Sequence, residues 1–447
     1  MKVFATLILL FSSIYSSANT QSGLTLVAVG EAELETEKLV VREPYLNGSF
    51  TVDELAQIKE FTEVFRNDFS FYKKLYSVQI PGKNPLTTFE SLNFSELKQK
   101  GVRILMRVLA SKSNQGLEYS FEAWKSEDAS LIVEKKGILS GDIREIAHSI
   151  SNDVFKKLNG KESIFNSKIT FVSDVYSSAA QGSKTTELFI MDFDGRNVKK
   201  LTNHRGVVLS PAFSKDGQQI IYSLIQSNVS KSRNVALRLY DLNTKSDTLL
   251  SNKGGINSGA VFTPDGESII LTLSHVGNAE IFEMNLKTRK LRRITRSYSP
   301  DVDPSISVDG SLMTFLSGRP GKPMIYTMDP SGIEKNVKRI SYIGRFNATP
   351  RFSPDGKEIA FSSWLDQRFD IFRINSDGTG LSRLTKDFGS NEDPTYSNDG
   401  EFIAFSSQRV ISSKKADQNI YIMDREGEII GPVTKNFGNC ITPRWSK

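Results

Sequence analysis

SKDGQQIIYS (214–223), TPDGESIILT (263–272), SVDGSLMTFLS (307–317), SPDGKEIAFSS (353–363) and SNDGEFIAFSS (397–407) are five copies of one pattern in a chain of 447 residues. Each reads as a strand end, an Asp-Gly turn and a second strand buried on both faces. Gly accepts positive φ, and Asp bonds back to the backbone. The positions just ahead of the turns, Pro211, Ala260, Pro304, Pro350 and Pro394, step by 49, 44, 46 and 44 residues. Hairpin chemistry repeating every 40–50 residues or so specifies a β-propeller.

A second string follows each first one: ELFIMDFDG (187–195), RLYDLNT (238–244), EIFEMNLKT (280–288), MIYTMDPSG (324–332), DIFRINSDG (370–378) and NIYIMDREG (419–427). Short segments such as RRIT (292–295) and SRLT (382–385) then supply a fourth strand, so each unit has strands A to D of one blade. Six C strands but five complete A-to-B turns are present. TPRWS (442–446) matches the A-strand pattern, with Pro443 a further 49 residues from Pro394, and KITFVSD (168–174) is a B strand without an A partner. The expected ring therefore has six blades, and its C-terminal strand completes the first. Closure removes an exposed sheet edge.

The ends and composition point to export. Met1 to Ala18 reads as a signal peptide, with Lys2, an apolar run from Val3 to Phe11, and small Ser16 and Ala18 before a cut at Asn19. That run is too short to span a bilayer, and no other segment is long enough to do so. The leader carries no cysteine for a lipid anchor. The single cysteine, Cys440, placed in the loop before the last strand, can form neither an intrachain disulfide nor a zinc cluster. A buried, inert thiol is expected. The formal charge of +6 is spread along the chain, which disfavours a nucleic-acid footprint.

Residues 19–160 lack the repeat. LTLVAV (24–29) reads as a strand, and Thr51 with Glu54 as a capping box. Leu55, Ile58, Phe61, Phe65, Phe69 and Tyr72 form one apolar face of a long helix. A short helix at 94–100, strands at 102–110, 117–125 and 130–136, and a helix carrying Ile143, Ile146, Ile150, Val154 and Leu158 follow. These elements specify a small two-layer α/β domain. The expected organisation is a leader at 1–18, an α/β domain at 19–160, a linker at 161–167 and the propeller at 168–447.

Catalytic signatures are absent from the sequence. It has no Gly-x-Ser-x-Gly elbow, P-loop or dinucleotide fingerprint, and His148, His204 and His275 lack metal spacing. Asp192, Asp194 and Gly195 supply only the start of a calcium loop. No cofactor or metal is expected, and no catalytic residue is assigned. Binding is expected on the face formed by the D–A and B–C connections. There the loops vary (INSG 256–259, SPDVD 299–303, GRFNAT 344–349, GSNED 389–393) and the D–A loops end at the channel mouth. The B–C connections add Arg233, Arg319, Lys322, Arg368, Arg409, Lys414 and Lys415.

Signal sequence, small α/β domain, six blades of the SPDGxxIAFSS type and a closing PRWS, joined through DVFKKLNGKESIFNSKITFVSD (153–174), together resemble the TolB family of periplasmic propeller proteins. The resemblance spans nearly the whole mature chain. It implies a non-enzymatic adaptor of the Tol–Pal envelope system in the periplasm, supporting outer-membrane integrity and constriction at division. The implied partners are the peptidoglycan-associated lipoprotein Pal, TolA and other outer-membrane-associated proteins. On this reading Pal meets Ile256, Asn257, Gly259, Val302, Asp303, Arg345, Asn347, Glu392 and Asp393 at the channel mouth. TolA meets the mature N-terminus from Asn19 to about Gly30, including Thr20, Leu24 and Leu26. The sequence departs from the family at Ile256, where a His is frequent. A different class of function stays open: an exported propeller that binds or hydrolyses glycans or peptides in its channel.

Overall fold

The computed structural model describes residues 36–79, 92–177, 184–226, 234–412 and 415–446. The leader, the expected strand at 24–29, the segment with Asn19, Thr20, Leu24 and Leu26, and Arg233 and Lys414 lie outside the described residues. Among those described, no helix is long and apolar enough to cross a membrane. The chain divides into two compact units between Ser140 and Gly141.

In the first unit, β1 (Glu37–Val41), β2 (Tyr45–Asn47), α1 (Val52–Phe71), β3 (Tyr76–Gln79), α2 (Phe94–Gln99), β4 (Ile104–Ser113), β5 (Gly116–Lys125) and β6 (Ser130–Ile138) follow in order. The sheet runs β3-β1-β4-β5-β6, with β2 also pairing β4; β1 is parallel to both neighbours. The expected capping box is present: Thr51 Oγ1 accepts from Glu54 N–H, and Glu54 accepts from Thr51 N–H. Phe61 and Phe65 of α1 are fully buried and meet Tyr119 and Phe121 of β5 at ring distances of 4.9 and 4.6 Å. Burial of each such side chain contributes roughly 2–3 kcal/mol. Leu55 departs from the expected apolar face and is exposed at the first turn of the helix. Strands β1, β2 and β3 are additions to the sequence reading. Each spans three to five residues, too few for alternation to register.

The second unit, Gly141–Lys447, begins with α3 (Ile143–Asn159). The sequence reading places this helix in the first domain and a linker after it; by packing, both belong with the propeller. Phe155 stacks edge-on against Phe165 (5.7 Å), and Phe165 reaches Phe193 of the first blade (5.9 Å). Ser163 N–H and hydroxyl both donate to Asn152 Oδ1. Ile164 and Phe165 are buried, so this stretch is part of the core and does not behave as a spacer.

Six four-stranded sheets follow. Their innermost strands are Cys440–Trp445, Val207–Phe213, Asn257–Phe262, Asp301–Ile306, Asn347–Phe352 and Ser390–Tyr396, for blades one to six. The first sheet combines both ends of the ring: Cys440–Trp445 pairs antiparallel with Lys168–Ser173. Cys440 therefore opens the last strand instead of preceding it. Its thiol is fully buried, and burial pushes its pKa up to about 11, which suppresses the reactive thiolate. The Asp-Gly turns behave as expected. Ser214, Thr263, Ser307, Ser353 and Ser397 each donate a hydroxyl to the Asp two residues on, at 2.6 Å. Gly217, Gly266, Gly310, Gly356 and Gly400 take φ of 70–75°.

Candidate functional site

The D–A loops are set by one recurring arrangement. In five blades the hydroxyls of Thr202, Thr295, Ser341, Thr385 and Thr434, just past strand D, accept a backbone N–H of strand C in the same blade. Side chains at the start of the next A strand join this network. Asn257 Oδ1 accepts from Ser251 Oγ (2.6 Å), Asn347 donates to Ser341 Oγ (2.7 Å), and Asn391 donates to Thr385 Oγ1 (3.2 Å). Asn257 and Asn347 are wholly buried, so they hold their loops from inside and offer no side chain to a partner. Ile256 and Arg345 are exposed, and Val302, Asp303, Glu392 and Asp393 are half-buried.

Just beyond these anchors, all six inner strands slip register, at Leu209/Ala212, Ser258/Val261, Val302/Ser305, Ala348/Arg351, Glu392/Thr395 and Ile441/Arg444. The bulged residue has positive φ in every blade: Ser210 50°, Gly259 60°, Asp303 54°, Thr349 49°, Asp393 58° and Thr442 49°. A non-glycine residue held there costs of order 1–3 kcal/mol, most for the β-branched threonines. Bulges of this kind re-aim side chains beside sites. A Cβ on Gly259 would also be tight, 3.3 Å from Asp303 Cα of the next blade.

Charge concentrates on this ring. Arg351 Nη2 donates to Asp303 Oδ1 at 2.8 Å across the boundary between blades four and five. Arg444 is also buried, and its Nη1 donates to Pro443 O. Burial, reinforced by the like charge of Arg351, lowers the Arg444 pKa to about 9. Burial raises the pKa of Asp393, with the Arg444 charge opposing it. Glu392 is pushed up to about 7 by burial, with the Asp393 charge adding to it. The innermost ring thus combines carboxylates and guanidiniums that are incompletely compensated, an arrangement suited to recognising a charged or polar partner group.

The sequence reading selected Gly259, Asp303 and Asp393 from this ring but missed Ser210, Thr349, Thr442, Arg351 and Arg444. The signal was available one residue before and one after the repeated proline, where small polar residues and two arginines recur.

Two of the three histidines are more engaged than surface residues would be, whereas His275 is exposed on its loop. His204 Nε2 lies 2.7 Å from Tyr222 Oη and 3.1 Å from Asp247 Oδ2, and Arg238 closes that network. His148 is buried, and with Asp192 and Asp194 it could offer three ligand atoms within 4.8 Å of one another. Cations of the protein already occupy those oxygens: Arg144 bonds Asp194 at 2.5 Å and Asp192 at 3.4 Å, and Lys168 bonds Asp192 at 2.5 Å. The cluster is a buried ionic clamp that joins α3 to the first blade.

A model of the TolB β-propeller domain matches residues 155–350 and 335–446. A TolB homolog of Chlorobium luteolum is 29% identical over 264 residues, 55% of this chain and 55% of the relative. A second TolB homolog, from Chlorobium chlorochromatii, is 35% identical over 187 residues, 40% of this chain and 37% of the relative. The chain thus spans about half or less of the length of these two relatives. The Tol-Pal system protein TolB of Francisella tularensis is 28% identical over 331 residues, covering 72% of this chain and 74% of the relative. The crystal structure of TolB from Acinetobacter baumannii superposes with a TM-score of 0.74 at 22% identity, covering 93% of this chain and 98% of that one; the likeness establishes the shared fold.

Proposed function

We propose a function on this premise: the chain belongs to the TolB β-propeller family. It acts as a periplasmic adaptor of the Tol–Pal envelope system, and its work is binding, not catalysis. Pal docks at the channel mouth on the D–A face, and TolA takes the segment from Asn19 to about Gly30. Through these contacts the protein supports outer-membrane integrity and envelope constriction at division. Occupation of one end changes affinity at the other, so the two partners are linked thermodynamically.

The observation that carries this reading is the family match across the whole propeller. The mouth itself adds support. Ile256 and Arg345 stand exposed on two of the variable D–A loops, beside a ring whose Asp303, Glu392 and Asp393 are half-buried. Apolar and charged groups side by side at the opening suit a protein interface with an apolar centre and a polar rim.

The test is calorimetric titration of the folded mature chain with purified Pal. Ile256→Arg and Val302→Arg should each weaken binding by about tenfold or more, the effect of a desolvated unpaired charge in an interface. Unaltered affinity in both variants would remove the channel-mouth assignment. Deletion of residues 19–30 should abolish TolA binding and leave a measurable Pal isotherm.

A further inference from the structure

The channel has a second end. On the A–B side, opposite the proposed Pal mouth, a cavity of about 220 Å³ opens between blades one to five. That is room for a small organic molecule and not merely one water. Its walls are largely apolar: Phe213, Val261, Phe262, Ile306, Val308 and Trp445. Arg351, Arg444 and Lys215 are the charged residues that line it, and no carboxylate does.

Both arginines are more than nine-tenths buried, at 8% and 7% exposure. Neither guanidinium is fully used. Arg351 Nε is buried with no hydrogen-bond partner, although Nη1 donates to Pro350 O and Nη2 to Asp303. Arg444 Nη1 donates to Pro443 O, and the charges of Asp393 and Asp303 act on its guanidinium without an ion pair to either among the described residues. A buried donor without an acceptor costs about 1–3 kcal/mol, so an acceptor brought by a ligand is favoured. The carboxylates of the nearby turns, Asp216, Asp265 and Asp309, are engaged by their own hydroxyl and backbone donors. Lys215, exposed at the rim, donates to Pro264 O and adds a third positive charge.

We propose that this cavity binds a carboxylate carried on an apolar stem, with the oxygens taken by Arg351 and Arg444 and the stem lying against Phe213, Phe262 and Trp445. Planar guanidinium forks match carboxylate geometry, and apolar walls exclude the water that would compete. The ligand chemistry is shared by two sources: a free short-chain carboxylic acid and the C-terminal carboxylate of a peptide entering the channel.

The test is calorimetry on the full mature chain with two probe pairs: butyrate against butyramide, and an acetylated tripeptide ending in Leu against its C-terminal amide. Saturable binding of at least one carboxylate probe, with its amide silent, is expected. The tighter carboxylate identifies the source. Arg444→Lys keeps the charge but removes the fork, and should weaken binding about tenfold. Should that variant fail to fold, Val308→Trp decides the question: Val308 is 49% exposed at the rim, so the substitution obstructs the cavity without touching its charges, and binding should be lost. Equal binding of acid and amide, no saturable binding of either acid, or undiminished affinity in Val308→Trp would each overturn the proposal.

Discussion

Trp445, in the last strand, is register-paired with Ile169 in the first propeller strand, and its indole N–H donates to Ser167 Oγ at 2.7 Å. Two segments nearly 280 residues apart thus form one sheet. Because this pairing closes the ring, its loss should be felt by every blade. Trp445→Ala removes a side chain that is 7% exposed and should cost about 3–5 kcal/mol. A single thermal transition, shifted as a whole, is expected. Trp364→Ala, at 37% exposure, should move the midpoint far less. A variant in which only a small early transition appears would contradict a cooperative ring.

Gly195 packs against the neighbouring blade so closely that an added Cβ would lie 2.0 Å from Val433 O, and its φ is +83°. Gly266 has a similar φ of +74° but nothing within 4 Å. Gly266→Ala should therefore carry only the backbone penalty of about 1 kcal/mol, while Gly195→Ala adds a backbone clash. Urea midpoints for the two variants should differ clearly, with Gly195→Ala the lower.

Arg144 is the hub of the clamp on Asp192 and Asp194. Arg144→Met leaves both buried carboxylates short of a partner and should cost about 3–5 kcal/mol. Lys161 and Glu401 make a bridge between exposed side chains, and Lys161→Ala should cost about 1 kcal/mol or less. Chemical denaturation at neutral pH distinguishes the two.

Asp309 accepts hydrogen bonds from Ser307, Ser311 and the Ser311 N–H, which hold its carboxyl down to about 2. Asp216 and Asp265 are lowered in the same manner, and in Asp355 burial opposes the lowering but is outweighed by the bonds from Ser353 and the Lys357 N–H together with nearby positive charge. A depressed folded-state pKa gives stability that is present above the unfolded value of about 3.9 and is lost as pH falls toward the folded value. Thermal melts should therefore drop progressively below about pH 3.9. Asp309→Asn should flatten part of that slope, and an unchanged slope would count against the turn assignment.

Glu392 works in the opposite direction. Burial, with Asp393 beside it, raises its carboxyl to about 7. A raised folded-state pKa gives stability that is complete below the unfolded value of about 4.3 and is lost as pH rises through the folded value. Replacement by Gln, which stays neutral, should therefore raise stability at pH 8 relative to the parent, by an amount of order 2 kcal/mol, and do little near pH 4. Melting curves of the two proteins at both pH values provide the check.

Much of the fold was legible because it repeats. The Asp-Gly turn is local chemistry, decided by one residue that tolerates positive φ and one that caps the backbone. Five copies at similar spacing therefore disclosed the blades, and the leftover TPRWS disclosed how they close. The short strands Glu37–Val41 and Tyr76–Gln79 escaped because their partners are parallel and distant, and nothing local marks them. The membership of α3 in the propeller unit escaped for the same reason. Its apolar stripe was visible, but its second buried face is polar, built on Arg144 and His148, and reads as solvent-facing in isolation.

By itself, then, the sequence determined the hairpins, their number and the returning strand, since each depends on residues near one another in the chain. Only the tertiary structure decided which side of the ring each loop residue faces, that Asn257 and Asn347 are internal fastenings, and that Arg351 meets Asp303 while Arg444 sits buried beside them. Those outcomes depend on six strands converging on one axis. There, burial and the charges of neighbouring blades, which no single repeat contains, set the chemistry.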